Sequence, residues 1–381
     1  MSKKAKKLKV LVAMSGGVDS SVSAALLVRQ GFDVTGGFIK NWSDTKDAWT
    51  GECNWRNDRR DAMRVAALLD IPLISFDFEA SYREKVVEEM FKGYEMGETP
   101  NPDVLCNQYI KFGLFWDKAK ELGFDLMATG HYATRYSPLA IRQQTAKSEK
   151  RKAKSDEIAH LYRGFDKEKD QSYFLYRISQ ESLAHTLFPV GEYTKPQVRD
   201  LARKFKLPVA ERPDSQGICF IGKIDFSKFL GSRLVSKPGD IITADGKVIG
   251  KHAGLYNYTI GQRQRIGVAG DHPWYVAGKD MAGNRLIVVE SEEHPFLQAI
   301  GLEIENVHWI SGRAPKLTVS VQIQARYRQE PNKGCILKES KNRFVLELDT
   351  PIKAAAIGQS AVIYKNNECL GGGMIRSVTH S

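Results

Sequence analysis

A run of glycines and serines near the amino end and two cysteines far apart carry the chemistry open to this chain. Ser15-Gly16-Gly17-Val18-Asp19-Ser20 follows an apolar run, Val10 to Met14, and precedes a stretch that alternates small and apolar residues from Ser20 onward. Strand, glycine turn and helix in that order build a cradle for phosphate. The glycines let the backbone approach an oxyanion, and the helix start offers unpaired N–H groups and a positive dipole end. Ser15, Ser20 and Ser21 add hydroxyl donors. No Gly-Lys-Ser/Thr follows, so this is not the P-loop of nucleotide hydrolases. A pyrophosphate held by neutral donors suits chemistry at an α-phosphate, leaving AMP on the substrate, better than transfer of a γ-phosphoryl group.

The activated group then needs a nucleophile, and the cysteines supply candidates. Cys106 closes Thr99-Pro100-Asn101-Pro102-Asp103-Val104-Leu105-Cys106-Asn107. With Asp103 read as the helix cap, the thiol lies three residues beyond it, in a first turn whose dipole and free N–H groups favour thiolate. Cys219 stands between Gly217 and Gly222, in sequence that reads as an accessible turn. Cys335 and Cys369 lie in apolar, strand-like contexts and are expected to be small buried hydrophobes. Cys53, in the polar run Glu52-Cys53-Asn54-Trp55, has no assigned role. The 5 cysteines form no Cys-x-x-Cys pair, which argues against structural zinc, a cluster built on that motif and a secreted disulfide scaffold. No metal site is expected.

The elements that must position these groups follow from periodicity. Over the first ~135 residues strands alternate with helices, the pattern of a parallel sheet with crossover helices. Val34 to Ile39, Leu73 to Phe78 and Leu126 to Thr129 read as strands; Arg59 to Leu69, Tyr82 to Tyr94 and Asp103 to about Leu122 read as helices. Residues 137–160 are polar and crowded with lysines, an exposed insertion. Helical patterns resume at Ser179–Leu187 and Lys195–Phe205. Past about Gly222, short Val- and Ile-rich runs alternate with Gly, Asp and Asn turns. The last stretch, including Leu317–Ile323 and Phe344–Leu348, alternates with period two, as in a small antiparallel barrel or sandwich. Boundaries are expected near residues 222 and 298.

The composition, 42% hydrophobic and 27% charged over 381 residues, is that of a soluble globular chain. No stretch approaches the ~20 apolar residues that span a bilayer. The lysine-rich start, MSKKAKKLK, runs straight into the first strand with no apolar leader, so a cytoplasmic location with no membrane partner is expected. A net charge of +11 favours a polyanionic partner.

SGGVDS resembles the pyrophosphate loop of the ATP-pyrophosphatase superfamily, whose members adenylate a carbonyl oxygen to make it a leaving group. Taken with Lys40-Asn41-Trp42, TPNPDVLCN, Ala128-Thr129-Gly130-His131-Tyr132, KDQSYFLY from Lys169, FPVGE from Phe188, DSQGICFIG from Asp214, Gly261-Gln262-Arg263, Arg326-Tyr327-Arg328 and Gly358-Gln359-Ser360-Ala361-Val362, the chain resembles the tRNA-specific 2-thiouridylases over nearly its whole length. TPNPDVLCN and GICFIG, in that order behind the loop, are the specific motifs.

The resemblance implies an α/β fold: a parallel-sheet, adenine nucleotide hydrolase-like catalytic domain over 1–222, a small central tRNA-binding domain over 223–298, and an antiparallel C-terminal β-barrel over 299–381. It implies ATP on Ala13, Met14, Ser15, Gly16, Gly17, Val18, Asp19 and Ser20, with Ile39 along the adenine and Gly130 near the nucleotide. Asn101, Pro102 and Asp103 would meet the target base. Cys106 would be the nucleophile and Cys219 the persulfide carrier, the two able to pair as a disulfide. His131, Lys169, Asp170, Gln171, Arg326, Tyr327 and Gln359 would touch tRNA. The reaction implied is adenylation of the wobble uridine 2-carbonyl, then sulfur transfer to give 2-thiouridine, AMP and pyrophosphate. Mg2+ would accompany ATP, and an upstream persulfide donor, a cysteine desulfurase or sulfur-relay protein, would load Cys219. Direct attack by the terminal sulfur and release of hydrosulfide by Cys106 both stay open. Ala13 stands where many relatives have glycine, Ile39 where methionine is frequent and Gln216 where some have threonine, and the insertion at 137–160 is longer than usual. An ammonia-using ligase of the same superfamily would need neither cysteine, and a non-catalytic RNA-binding protein would release no pyrophosphate.

Overall fold

The computed structural model describes residues 7–43, 54–136, 158–214, 226–268, 272–340 and 342–381. Its first part is built on five parallel strands: β1 (Lys9–Ala13), β2 (Asp33–Lys40), β3 (Leu73–Asp77), β4 (Leu126–Ala128) and β7 (Thr186–Leu187), in the order β3-β2-β1-β4-β7. Val10, Leu11 and Val12 of β1 are all fully buried because both faces of the sheet are covered. Successive side chains point to opposite layers. Val10 and Val12 pack with helix α1 (Val18–Arg29), while Leu11 packs with the layer that holds Met90, Ile110 and Phe115.

Helix α2 (Asn54–Leu69) connects to β3. The expected helix at Tyr82–Tyr94 belongs to a longer run, α3, which starts at Glu79–Tyr82, continues through a π-helical Arg83–Val87 and ends in Glu88–Glu95. Helix α4 likewise joins Pro102–Leu105, a π-helical Cys106–Leu114 and Phe115–Glu121. Ser179–Leu187 is helical only at Gln180–Ala184 (α5); its last residues form β7, drawn into the parallel sheet beside Met127 and Ala128. Tertiary pairing overrides so short a helical pattern. Helix α6 (Lys195–Lys204) opens with a full capping box at Thr194 and Gln197 and packs on α1.

After α7 (Phe226–Gly231), a four-stranded sheet forms from β8 (Gly239–Thr243), β9 (Val248–His252), β10 (Tyr275–Asp280) and β11 (Arg285–Val289), in the order β10-β11-β8-β9. The last part is a closed antiparallel barrel of β12 (Gln298–Trp309), β13 (Ser320–Gln324), β14 (Asn332–Ser340), β15 (Arg343–Lys353), β16 (Ser360–Lys365) and β17 (Glu368–His380), closed by β12 against β17. Phe344, Leu346 and Leu348 of β15 point inward, as the period-two pattern requires. The strand expected from Leu317 starts only at Ser320; Thr318, at φ +61°, is in the preceding turn.

One feature crosses this division. The hairpin of β5 (Ala133–Tyr136) and β6 (His160–Arg163), which flanks the lysine-rich insertion, leaves the catalytic part and extends the barrel sheet through β6 on β17. Among the described residues no helix is long and apolar enough to cross a membrane.

Candidate active site

The chain leaves β1 toward β2 and β3 on one side, while β4 and β7 lie on the other, so a crevice opens at the carboxyl ends of β1 and β4. The glycine loop sits there. Gly16 has φ +76°, and a Cβ on it would stand 2.3 Å from the Asp58 carbonyl oxygen, so only glycine fits. Gly17 is the N-cap of α1 and contributes no side-chain cap, which leaves the first amides of that helix for an anion. The hydroxyls of Ser20 and Ser21 donate to the Gly17 carbonyl at 3.2 and 2.7 Å, bracing the turn, while Ser15 is exposed. Gly130, just past β4, abuts the same helix start: its Cβ would be 2.6 Å from the Ser20 nitrogen. The side chains of Met14 and Val18 are buried in the core, so ligand contact there falls to backbone. Ile39 is buried near the end of β2. Two residues on, Asn41 is 1% exposed with neither amide atom hydrogen bonded. Such a group is costly to bury unless something bonds it.

The loop lacks a lysine of its own, but α6 brings one. Lys195 Nζ lies 2.7 and 2.8 Å from the two carboxylate oxygens of Asp19, and 2.9 Å from Asp214. Tyr132 donates its hydroxyl to Asp19 at 2.8 Å. Asp214 also pairs with Lys169 at 2.9 Å and Arg199 at 2.6 Å. Burial alone would raise its carboxyl, yet the bonds from Lys195 and Lys169 hold it down at about 2. Arg212 donates to the Gly16 carbonyl at 3.0 Å and pairs with Asp58 and with Asp61. Sequence spacing had no means of finding Lys195 or Arg212, which lie about 180–200 positions from the loop: Lys195 arrives with α6 packed on α1, and Arg212 from the segment after α6, between the loop and α2.

The second part of the site is the run from Gly97 to Cys106. Asn101, not Asp103, caps α4: its Oδ1 accepts from Val104 N at 3.3 Å, with Pro102 in the first turn. Asn at the cap with Pro directly after it is the favoured pair, and Asp103 then sits inside the first turn, where its charge suits the dipole. This corrects the expected environment of Cys106. Its N–H bonds the carbonyls of Pro102 and Asp103, past the free first turn, and its side chain is fully buried. It opens the π-helical stretch, a distortion that recurs at functional sites.

This run is held from two sides. From the central sheet, Lys279 Nζ donates to the Gly97 carbonyl at 3.1 Å, and burial pulls the Lys279 ammonium down to about 8. From the barrel, Ile357 accepts the Thr99 N–H at 2.8 Å, Gln359 donates to the Thr99 carbonyl at 2.7 Å, and Gly358, at φ +88°, packs directly on Glu98 and Thr99. The Tyr173 hydroxyl donates to the Ser360 carbonyl at 2.9 Å.

The residues expected at tRNA divide by depth. Gln359 borders the Gly97–Asn101 turn, and Tyr327 packs its ring 4.4 Å from Phe174 and 6.1 Å from Tyr173. Arg326 and Tyr327 line a cavity of about 320 Å³ together with Tyr275 and Lys353. Lys169 lies on Asp214, and Gln171 accepts the Tyr132 N–H at 2.9 Å, so both touch the surroundings of the glycine loop. Asp170 is buried, accepting from Gly164 N, Ser172 N, Ser172 Oγ and Arg163. His131 is buried against Phe112 with a ring nitrogen 2.8 Å from Thr129 Oγ1; burial, helped by Lys111, pushes it well below its usual range, so the ring is neutral at pH 7. Cys369 is buried, as expected; Cys335 is half-buried, 3.8 Å from Glu347. Cys219 and Cys53 lie outside the described residues. The described chain ends at Asp214, on Lys195, and resumes at Phe226, whose ring is 5.7 Å from Tyr94, next to the Gly93–Pro100 contact.

Three family models match in chain order: a tRNA methyl transferase HUP domain over residues 8–223, a tRNA methyl transferase PRC-barrel domain over 227–290, and an aminomethyltransferase beta-barrel domain over 300–375. The chain is 46% identical over 378 residues to the tRNA-specific 2-thiouridylase MnmA of Methylobacillus flagellatus, covering 97% of this chain and 99% of that protein. It is 42% identical over 380 residues to tRNA-specific 2-thiouridylase MnmA 2 of Aliarcobacter butzleri, covering 97% and 98%. The solved NMN synthetase from Francisella tularensis aligns at a TM-score of 0.33 and 16% identity, over 61% of this chain and 80% of that one.

Proposed function

This chain belongs to the tRNA-specific 2-thiouridylase family, and from that premise we propose how its residues divide the family's reaction. The protein is an ATP-dependent tRNA-uridine 2-sulfurtransferase. The uridine 2-oxygen attacks the α-phosphate of ATP; an O–P bond forms, the bond to the β-phosphate breaks, and pyrophosphate leaves with the electron pair. Sulfur then replaces the adenylated oxygen and AMP departs.

In our reading ATP lies along Ala13–Ser20 with Gly130 behind it, and the adenine lies toward Ile39. The unsatisfied amide of Asn41 supports a ligand at this strand end. Mg2+ would ride on the phosphates, since Asp19, the carboxylate beside the loop, is already engaged by Lys195 and Tyr132. Asn101, Pro102 and Asp103 receive the uridine, Cys106 is the nucleophile, and Cys219 carries the persulfide delivered by an upstream sulfur donor. A base in a stacked duplex could not enter, so the uridine must come from a loop that can splay, as an anticodon does. We place the enzyme in the cytoplasm with its substrate.

The observation that carries this reading is the continuity of one helix, α4, from the base-binding cap at Asn101 to Cys106, clamped by both accessory domains. The test is incubation of the full chain with ATP, Mg2+, sulfide and tRNA lacking the modification, followed by nucleoside analysis. 2-Thiouridine is expected; its absence with active controls would sink the reading.

A further inference from the structure

We infer that Asn107 is a specificity-determining residue for the target base: its Oδ1 accepts the N3–H of uridine and turns cytidine away. The inference deepens the reading above and rests on its placing of the uridine at Asn101, Pro102 and Asp103.

The reaction acts on a 2-carbonyl, which uridine and cytidine both carry, so the reacting atoms do not choose between them. The two bases differ at position 3, a donor N–H in uridine and a lone pair in cytidine, and at position 4, a carbonyl against an amine. Position 3 adjoins the reacting carbon. A group that reads it must therefore stand beside the nucleophile, as the chain neighbour of Cys106 does. A site built to hydrogen bond a substrate N–H strongly rejects the analogue without one, because the site's own polar group is then left unpaired.

Asn107 offers such an acceptor. It is 4% exposed and follows Cys106 directly in the π-helical part of α4. Its Nδ2 donates to the Phe174 carbonyl at 3.2 Å. That bond fixes which way the amide faces, since the flipped amide would set one oxygen against another. Oδ1 is then committed as an acceptor, and it is buried with no hydrogen-bond partner among the described residues. A buried acceptor left so is costly until a ligand or a water bonds it. Holding Phe174 in place needs the Nδ2 donor alone and leaves Oδ1 unexplained.

The neighbours put this acceptor on the crevice side of α4. Asp103 stands one turn nearer the cap, four residues before Asn107. Lys111 stands four residues beyond, its ammonium 3.4 Å from His131 Nε2 in the connection between β4 and β5. Phe174 lies three residues past Gln171, which accepts the Tyr132 N–H in that same connection.

The experiment is single-turnover pyrophosphate release by the full chain on two tRNAs that differ only in carrying uridine or cytidine at the wobble position. Melting temperature is read for each variant. Wild type is expected to prefer uridine by at least ~1000-fold. Asn107→Leu is expected to lose at least ~tenfold of that ratio, the uridine rate falling and the cytidine rate rising. Asn107→Asp keeps an acceptor and is expected to stay within about threefold of the wild-type ratio. The inference is overturned by a folded Asn107→Leu whose ratio stays within about threefold of wild type, the result expected if a water bonds Oδ1 and serves both bases alike. It is equally overturned by an Asp variant as unselective as Leu when both are folded. Should Asn107→Leu fail to fold, Asn107→Ser decides by the same criterion, since a hydroxyl donates as readily as it accepts and serves either base. Failure of the underlying reading looks different and takes the inference with it: wild type would then release no pyrophosphate on the uridine tRNA and form no 2-thiouridine.

Discussion

Gln359 of the barrel donates its Nε2 to the carbonyl of Thr99 at 2.7 Å, two residues before the cap of the helix that carries Cys106. The accessory domain that our reading puts against tRNA thus grips the loop that our reading gives to the target base. Gln359→Ala removes one hydrogen bond, worth about 1 kcal/mol, and should lower kcat for thiolation several-fold while leaving the KM for ATP unchanged. Gly358→Ala should be worse. It forces a side chain into φ +88° and puts a Cβ 2.8 Å from Glu98 Cβ and 2.9 Å from Thr99 N. Steady-state kinetics with tRNA as the varied substrate checks both; a Gly358→Ala enzyme with wild-type kcat would mean that the loop is positioned by other means.

Asp170 poses a different question, because its carboxylate is buried under four protein bonds, one from Arg163. Asp170→Asn should cost global stability, by about 3–5 kcal/mol as for other broken buried pairs. The loss should appear in thermal melting without tRNA. A variant that melts like wild type but binds tRNA poorly would show instead that Asp170 acts on RNA directly.

Much of the fold was legible because it rests on local pattern. The apolar run at Val10, the glycine turn and the alternation in Phe344–Leu348 each announce an element whose neighbours are near in sequence. The missed parts depend on contacts between distant segments. Thr186 and Leu187 become a strand only because Met127 and Ala128 offer an open edge. The β5–β6 hairpin joins a barrel whose strands lie more than 130 residues downstream. At the site, the loop and TPNPDVLCN were readable as motifs. Lys195, Arg212 and Lys279 were not, because what marks them is the partner they reach across the fold, and no local spacing encodes it.

Two perturbed charges make stability rise with pH in separate windows, one acidic and one alkaline. Asp214 is held at about 2 against 3.8 unfolded, so its stabilisation is complete above the unfolded value and is lost as pH falls through the folded one. With a third of its side chain exposed, screening trims this to about 1–2 kcal/mol. Lys279 is also displaced downward, to about 8 from 10.5, because burial disfavours its charged form. Between those values the unfolded chain binds more protons, so stability attributable to Lys279 rises with pH. Comparing wild type with Lys279→Met by urea denaturation, the variant's relative stability should fall on going from pH 7 to pH 10. Relative to Asp214→Asn, wild type should lose its advantage between pH 4 and pH 2. Either curve running the other way would place the charge in a more solvated setting than its neighbours indicate.

Cys106 offers the sharpest separation of the two half-reactions. In our reading it acts after the uridine is adenylated, so Cys106→Ser should still release pyrophosphate from ATP and tRNA, within about threefold of wild type, yet form no 2-thiouridine from a persulfide donor. The site itself constrains the choice of variant. The position is fully buried beside Ile110 and Phe115, so a serine hydroxyl that finds no partner there costs roughly 1–3 kcal/mol, and melting should fall accordingly. Cys106→Ala avoids a buried hydroxyl and should melt closer to wild type while failing at the same step. Single-turnover measurement of pyrophosphate and thionucleoside in one reaction distinguishes the outcomes. If both variants fold and both lose pyrophosphate release together with thiolation, Cys106 serves adenylation or base binding, and sulfur must reach the uridine without it.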